Sequence, residues 1–242
     1  MYDKAFTTLI HGLDQLDSSK IKEPFVTQNE FIQLSGFLPS DLTKAFVREL
    51  DTLNGSVHRS YIPGHKKGGS IGRHDLEKLA PIFGELYHQE KLLEFLSALS
   101  GNRLMRCPPS DPHAYALYYY TEVGDHIGYH YDRSYYKGDR YTVLIGLIDN
   151  SSCKLECQLF KDDDSKETEL LELKIEPGML VFFNGDKLYH RITPLGSNER
   201  RIVLTLEFLT ETRMNPLLRF VSNVKDSVAY FGFKQVFQTK NR

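Results

Sequence analysis

Two histidines and one aspartate are the residues of this chain whose types point most directly to chemistry. His130 and Asp132 lie two positions apart, and His190 follows later in the chain. Neutral imidazoles and one carboxylate form a donor set that holds Fe(II) on one face and leaves the opposite coordination positions open for substrate and oxygen. A histidine two residues before an acid also occurs by chance, so the surrounding sequence has to support the interpretation.

The elements around the first pair are predicted to be strands. Residues 114–120 have strand composition and lead into a turn at 121–125, and residues 140–148 form a near-continuous apolar run typical of a buried strand. Side chains two positions apart on a strand share a face. We therefore expect His130 and Asp132 to lie on one strand and to chelate one metal ion.

The second histidine is expected on a neighbouring strand. Pro177-Gly178 predicts a turn, residues 179–183 a strand, and Asn184-Gly185 a second turn. The second turn reverses the chain, so His190 can return beside the first pair.

These features, in this order, resemble the Fe(II)- and 2-oxoglutarate-dependent dioxygenases, and most of all their prolyl-4-hydroxylase-like branch. The resemblance runs from about Phe37 to Leu209. It rests on Gly36-Phe37-Leu38-Pro39, Tyr120 with Gly124, His130-Tyr131-Asp132, Pro177-Gly178 with Phe182-Phe183, His190, and Arg201-Ile202-Val203-Leu204-Thr205. It implies a mainly β fold with flanking α-helices, in which a double-stranded β-helix, or jelly-roll, forms the core and carries the metal at its mouth.

The resemblance also implies the cofactors: Fe(II), 2-oxoglutarate as cosubstrate, and O2. In the family a basic residue inside the barrel holds the far carboxylate of 2-oxoglutarate, and the planar fork of an arginine suits this role. Arg200 and Arg201 are adjacent on a predicted strand and must face opposite sides. Arg201 with Thr205 reproduces the family's arginine and threonine four residues apart, so Arg201 is preferred; a slip of one residue would favour Arg200.

Three further positions follow from the resemblance. Tyr120 lies where relatives place a tyrosine against the cosubstrate, although a tyrosine that fills the barrel is nearly as well supported. Gly146 stands where some relatives have another tyrosine, and a glycine inside a strand commonly marks a close approach or a bulge. Asp132 favours hydroxylation, because the halogenating members replace this carboxylate with a small residue and bind chloride in its place.

Contacts to the substrate are less defined by the sequence. His126 and Tyr135 lie close in sequence to the metal pair and are candidates for the substrate mouth, although His126 is also typical of a solvated turn. Glu207 shares the strand face of Arg201 and Thr205. Because an inward carboxylate is costly without a partner, a substrate amine or a nearby arginine is expected beside it.

The glycine-rich, cationic segment 61–74 allows two interpretations. A mobile lid would close over an anionic group of the substrate, with Arg73 as a contact. A flexible surface loop explains the same composition.

Length and composition favour one domain spanning 1–242, with a helical part at about 1–101, a jelly-roll core at about 102–210 and a C-terminal helix at about 215–235. The net charge of −2 shows no basic bias, which argues against a nucleic-acid partner. The 3 cysteines suggest no disulfide framework. No stretch approaches the roughly 20 apolar residues of a membrane span, so a cytoplasmic location is expected; the oligomeric state stays open.

Helices are expected at 3–16, at 39–53 with a Ser40 or Asp41 cap, and as a pair over 75–99 that is interrupted near Pro81 and closed by Gly101. Strands are expected from 103 to 209, with the acidic segment 162–167 as a hairpin tip. Asn215-Pro216 is expected to begin the final helix.

Three functions of different kinds fit these observations. The favoured one is a small-molecule hydroxylase, acting on a free amino acid or a related metabolite. The alternative is a protein hydroxylase that acts on prolyl or other side chains. A non-catalytic jelly-roll binding domain is disfavoured by the intact set His130, Asp132, His190 and Arg201. The nucleic-acid demethylase branch is disfavoured because Glu207 stands where that branch has a second arginine.

Overall fold

The computed structural model describes residues 2–133 and 135–214. Over these ranges the helices are α1 (Asp3–Gln15), α2 (Ser18–Thr27), α3 (Ser40–Leu53), α4 (Arg73–Leu79), α5 (Ile82–Tyr87) and α6 (Glu90–Ser100). The strands are β1 (Phe31–Leu34), β2 (His58–Ile62), β3 (Lys66–Gly72), β4 (Met105–Arg106), β5 (Tyr115–Tyr120), β6 (His126–His130), β7 (Arg140–Asn150), β8 (Leu155–Leu159), β9 (Glu169–Leu173), β10 (Leu180–Asn184), β11 (Tyr189–Ile192) and β12 (Arg200–Leu209).

The strands form one curled antiparallel sheet. Its order is β1-β10-β7-β12-β5-β3-β6-β11-β8-β9, with β2 paired to β3 and β4 paired to β12. Neighbours in this order are mostly distant in sequence, as expected of a jelly-roll, in which the chain crosses repeatedly between the two halves of the barrel. The predicted mainly β fold with flanking helices is confirmed.

The helices cover one face of the sheet. Their buried side chains, such as Leu9 of α1, Phe46 of α3 and Leu96 of α6, join one large apolar core with the residues of the sheet that face them. Phe46 and Phe83 stack with ring centroids 5.0 Å apart. A second apolar cluster, which includes Leu144, Val181 and Val203, lies on the opposite face of the sheet, where the candidate site is found.

The N-terminal third contains more β structure than its sequence predicts. Strands β1, β2 and β3 were not expected. The residues of β3 were expected to form a loop, but they pair with β5 on one side and β6 on the other. The lid interpretation of residues 61–74 is therefore wrong for Lys66–Gly72, most of which is buried. The glycines permit close packing, since a Cβ on Gly69 would lie 2.5 Å from Cγ1 of Val57.

The predicted helices are found with altered boundaries. The pair expected over 75–99 consists of the three helices α4, α5 and α6, and Gly101 ends α6 with a φ of 70°. Pro39 occupies the N-cap position of α3, while the carboxylate of Asp41 accepts a hydrogen bond of 3.0 Å from the backbone N–H of Leu42. Helix α2 was missed. The helix expected at about 215–235 lies outside the described residues.

The strands that flank the candidate ligands are confirmed. Strand β5 lies within the strand expected at 114–120. Strand β7 covers the whole of the strand expected at 140–148, and β10 covers most of the one expected at 179–183. Strands β8 and β9 pair as a hairpin whose tip is the acidic segment 162–167.

Candidate metal centre and cosubstrate cavity

Two adjacent strands bring the histidines together. His130 ends β6, His190 lies on β11, and the two residues are direct partners in the antiparallel ladder. Directly opposed residues of a ladder share a face of the sheet. The two imidazole rings accordingly have centroids 4.3 Å apart.

Asp132 reaches the same point from outside a strand. Strand β6 ends at His130, so the expectation that His130 and Asp132 share one strand is wrong for the aspartate. The chain passes closely over Gly185, where a Cβ atom would lie 2.8 Å from Cβ of Asp132. The carboxylate oxygens Oδ1 and Oδ2 still lie 3.3 Å from Nε2 of His130 and 3.8 Å from Nε2 of His190, respectively.

Backbone carbonyls orient both imidazoles. Nδ1 of His130 lies 2.8 Å from the carbonyl oxygen of Gly128, and Nδ1 of His190 lies 3.1 Å from that of Leu188. A protonated Nδ1 that donates to a carbonyl leaves the lone pair of Nε2 available to a metal ion. One donor atom from each of the three residues lies within 4.8 Å of the others. This spacing and donor chemistry fit an Fe(II) ion bound on one face.

Two of the three groups are held in the protonation state that coordinates metals. Burial opposes ionisation of Asp132, but His190 and His130 outweigh it and hold the pKa of this carboxyl well below its usual range. Burial and the neighbouring His130 lower the pKa of His190 to about 4. An ionised carboxylate and a neutral imidazole are the forms that coordinate metals.

A cavity on the inner face of the sheet begins at these three residues. Its volume is about 70 Å³. Its lining combines the candidate ligands with aromatic, apolar and polar residues from β5, β6, β7, β11 and β12: Tyr118, Tyr120, Ile127, His130, Asp132, Leu144, His190, Ile192, Arg201, Val203, Thr205 and Glu207.

Arg201 is the arginine that faces this cavity. Its guanidinium lies over the ring of Tyr120, 4.8 Å from the centroid, and the residue is 2% exposed. Burial raises the pKa of Tyr120 to about 12, so this side chain stays neutral. Thr205 donates a 3.2 Å hydrogen bond to the carbonyl oxygen of Ala116. Arg200 is on the other face of the sheet, in a groove beside Tyr119.

A chain of hydrogen bonds extends from Asp132 to a buried ion pair. The hydroxyl of Thr142 lies 3.0 Å from Oδ2 of Asp132 and 2.9 Å from Oε2 of Glu207. Nε of Arg140 donates to the same Oε2 at 2.8 Å. Burial raises the pKa of Glu207 to about 7, although Arg140 works against the shift.

Comparison with known proteins agrees with this geometry. The model of the Halogenase D family matches residues 13–137, which include His130 and Asp132. The chain belongs to the Halogenase D family. Among curated proteins, none matches the chain by sequence.

Several solved structures share the fold of this Halogenase D family member at low sequence identity. SnoN, an α-ketoglutarate-dependent epimerase from nogalamycin biosynthesis, superposes with a TM-score of 0.65 at 11% identity, over 79% of this chain and 80% of SnoN. A Pseudomonas putida prolyl-4-hydroxylase gives a TM-score of 0.61 at 16% identity, over 81% of this chain and 99% of the hydroxylase. The Trichoplax adhaerens prolyl hydroxylase, in complex with a peptide fragment of hypoxia inducible factor, gives a TM-score of 0.63 at 14% identity, over 84% of this chain and 92% of the hydroxylase.

These structures show that the chain has the jelly-roll fold of the Fe(II)- and 2-oxoglutarate-dependent oxygenases, as its motifs indicated. SnoN has also been solved in complex with Fe3+, α-ketoglutarate and a nogalamycin compound. No helix in residues 2–133 and 135–214 of this family member has the length and apolar character needed to cross a membrane.

Of the four residues predicted to contact the substrate, Glu207 alone is among the described residues that line the cavity. Nδ1 of His126 lies 2.8 Å from the carbonyl oxygen of Gly124, in the turn that begins β6. Arg73 begins α4, where its Nε donates to Glu77 at 2.6 Å and its guanidinium lies over Tyr115. Tyr135 lies in the irregular segment between β6 and β7. Arg73 is thus tied to its own helix, and for these three residues a substrate role stays a prediction without support from the cavity.

Gly146 shows both features expected of a glycine inside a strand. A Cβ atom here would lie 2.1 Å from the carbonyl oxygen of Glu176, and the ladder between β7 and β12 shifts register at Ile202/Val203, opposite Ile148 and Gly146. The backbone of 175–178 therefore crosses directly over Gly146. That crossing leaves no room for a tyrosine at this position.

Thr142 and Arg140 were missed by sequence reasoning. Thr142 stands in an apolar run, and it is the direct ladder partner of Glu207. The sequence did show that Thr142 is a polar residue within a strand predicted to be buried. Its partner Glu207 can be identified only once the pairing of β7 with β12 is known.

Proposed function

We propose that this protein is an Fe(II)- and 2-oxoglutarate-dependent oxygenase that hydroxylates an unactivated C–H bond of a small molecule, with a free amino acid or a related metabolite as the favoured substrate. The observation that carries the proposal is the convergence of His130, Asp132 and His190 at the mouth of a cavity that also contains Arg201.

Each of these residues has a role that its geometry supports. His130 and His190 present Nε2, and Asp132 presents a carboxylate oxygen, so the three would hold Fe(II) on one face. Bound iron with 2-oxoglutarate would supply the activation of O2, with release of succinate and carbon dioxide. The buried guanidinium of Arg201 is the cation that can pair with the far carboxylate of 2-oxoglutarate, while Tyr120 and Thr205 shape the same wall.

Hydroxylation is favoured over halogenation because Asp132 is present. The name of the family refers to halogenases, and chloride would need the coordination position that this carboxylate occupies. Asp132 lies within 4 Å of both imidazoles and is held there by Thr142. A second anion at that position would be repelled by the carboxylate.

Glu207 supports a substrate that carries an amine. It lines the cavity, and within the described part of the chain the hydrogen bonds to its carboxylate, from Arg140 and Thr142, both go to Oε2. Oε1 is then the oxygen available to a donor that enters the cavity. An amine there would gain a charge-assisted hydrogen bond.

The alternative is a protein hydroxylase acting on prolyl or other side chains, which the fold shared with two prolyl hydroxylases supports. A non-catalytic binding domain is the least supported function, because the three donors and the buried arginine are all in place.

Succinate release measured over a panel of substrates tests the proposal. Purified protein with Fe(II), 2-oxoglutarate and O2 would be incubated with each common amino acid and, separately, with proline-containing peptides, and the products identified by mass spectrometry. We expect a free amino acid to raise succinate release and to gain one oxygen atom, and His130→Ala to abolish both. Turnover of peptides alone would favour the protein hydroxylase, and identical release by wild type and His130→Ala would rule out the oxygenase.

A further inference from the structure

The hydroxyl of Thr142 connects the metal-binding carboxylate to a second carboxylate. Thr142 is 1% exposed, and its Oγ1 lies 3.0 Å from Asp132 and 2.9 Å from Glu207. A hydroxyl has one proton, so it can donate to only one of the two carboxylates at a time. Whatever draws this proton towards Glu207 therefore weakens the hydrogen bond to Asp132.

Glu207 is itself fixed in place. Arg140 donates to Oε2 at 2.8 Å, and this oxygen is the one that also contacts Thr142. Thr142 and Glu207 are direct partners in the ladder between β7 and β12, which sets the distance between their backbones. The guanidinium of Arg140 competes with the Thr142 hydroxyl for Oε2, and that competition leaves the Thr142 proton for Asp132.

Asp132 needs such support because it lies beyond the end of β6. The two histidines are oriented by their strands and by carbonyl oxygens of the backbone. Among the described residues, Thr142 is the only group that donates a hydrogen bond to the carboxylate of Asp132 apart from the imidazoles. A carboxylate on an irregular segment loses its orientation more readily than a side chain on a paired strand.

We propose that the hydroxyl of Thr142 positions the carboxylate of Asp132 for metal binding, and that Arg140 supports it by occupying Oε2 of Glu207, the oxygen that competes for the Thr142 proton. Thr142 and Arg140 are positioning residues in this scheme, since neither is a metal ligand. The inference rests on the metal site proposed above. It adds that the ion pair on β7 and β12 sets the affinity of that site.

A double-mutant cycle on metal affinity tests the inference without turnover. The dissociation constant for Co(II) would be measured by calorimetry, without 2-oxoglutarate, for wild type, Thr142→Val, Arg140→Met and the double variant. Loss of an outer-sphere partner typically costs about 10- to 100-fold in metal affinity, and we expect that loss for each single variant. Because Arg140 acts through Thr142, the double variant should bind Co(II) about as weakly as Thr142→Val alone.

Controls separate positioning from general damage. Thr142→Ser keeps the hydroxyl and should restore Co(II) affinity to near the wild-type value, and Thr43→Val removes a remote hydroxyl that bonds Pro39 and should leave affinity unchanged. The visible absorption of the Co(II) protein should change in Thr142→Val and not in Thr43→Val. Unfolding of the metal-free proteins reports folding, and Thr142→Ala replaces the valine variant if that variant does not fold.

The possible outcomes are distinguishable. Additive losses in the cycle, or wild-type affinity in Thr142→Val, would overturn the role of Thr142 while leaving the metal site intact. Equal Co(II) affinity in wild type and His130→Ala would instead remove the metal site itself, and with it both the proposed function and this inference.

Discussion

Arg201 and Arg200 offer a matched pair of substitutions that tests the cosubstrate site. The side chains are one residue apart on β12 and lie on opposite faces of the sheet, with Arg201 buried in the cavity and Arg200 in the groove on the other side. Removing one partner of a buried, hydrogen-bonded charge pair costs about 2–5 kcal/mol. At about 1.4 kcal/mol per tenfold change, Arg201→Ala should raise the dissociation constant of 2-oxoglutarate between about 30-fold and several thousand-fold.

The same reasoning gives a small effect for the neighbour. An exposed charge contributes about 0–1 kcal/mol to a pair, so Arg200→Ala should change the dissociation constant by less than about fivefold. The assay is an anaerobic titration of the Fe(II) protein with 2-oxoglutarate, followed through the weak visible charge-transfer band expected of bidentate chelation. A greater loss in Arg200→Ala than in Arg201→Ala would show that the cosubstrate arginine is assigned one residue out of register, and equal losses would remove the arginine assignment altogether.

Three further predictions concern the metal site and a buried lysine. His130→Ala, Asp132→Ala and His190→Ala should each abolish 2-oxoglutarate turnover under limiting iron while circular dichroism shows a retained fold; wild-type turnover in any of them would exclude that residue as a ligand. Asp132→Gly should lose hydroxylation and gain at most trace chlorination, because chloride would have to lose its hydration shell and be held by neighbouring donors to take the vacated position; mass spectrometry of products formed in chloride buffer checks this, and efficient chlorination would refute it. Burial lowers the pKa of Lys66 to about 7 from its ordinary 10.5, so the unfolded chain binds more protons between these values and stability should rise with pH there. In Lys66→Met this rise in the free energy of unfolding should be smaller by up to about 5 kcal/mol, at about 1.4 kcal/mol per pKa unit. Urea unfolding at several pH values measures the free energy, and an equal pH dependence in both proteins would contradict the assigned pKa.

The sequence predicted the residues that the site brings together because their types are rare and specific. His130, Asp132 and His190 supply a donor set that few other sites require, and the strand phase of Arg201 distinguishes it from Arg200. Alternation along a paired strand is the physical rule behind both inferences. The rule did not hold for Asp132, since β6 ends two residues before it.

The remaining differences arise from contacts that no local pattern encodes. Segment 66–72 has the glycine and lysine content of a loop, yet it forms β3 because β5 and β6 offer it partners on both sides. Gly146 marks a backbone crossing that depends on a segment about 30 residues later in the chain. The role of Thr142 can be recognised only from its pairing with Glu207 in the sheet. Tertiary pairing overrides local propensity in each of these cases.

The direct pairing of His130 with His190 would make an ion bound at the proposed metal site a reporter of correct folding. A slip of one residue between β6 and β11 would turn one imidazole to the opposite face of the sheet, because side chains alternate along a strand. Such a misfolded chain could still bury most of its apolar residues, but it could not bind the ion with both histidines. Metal present during refolding should therefore select the native register and raise the yield of correctly paired protein.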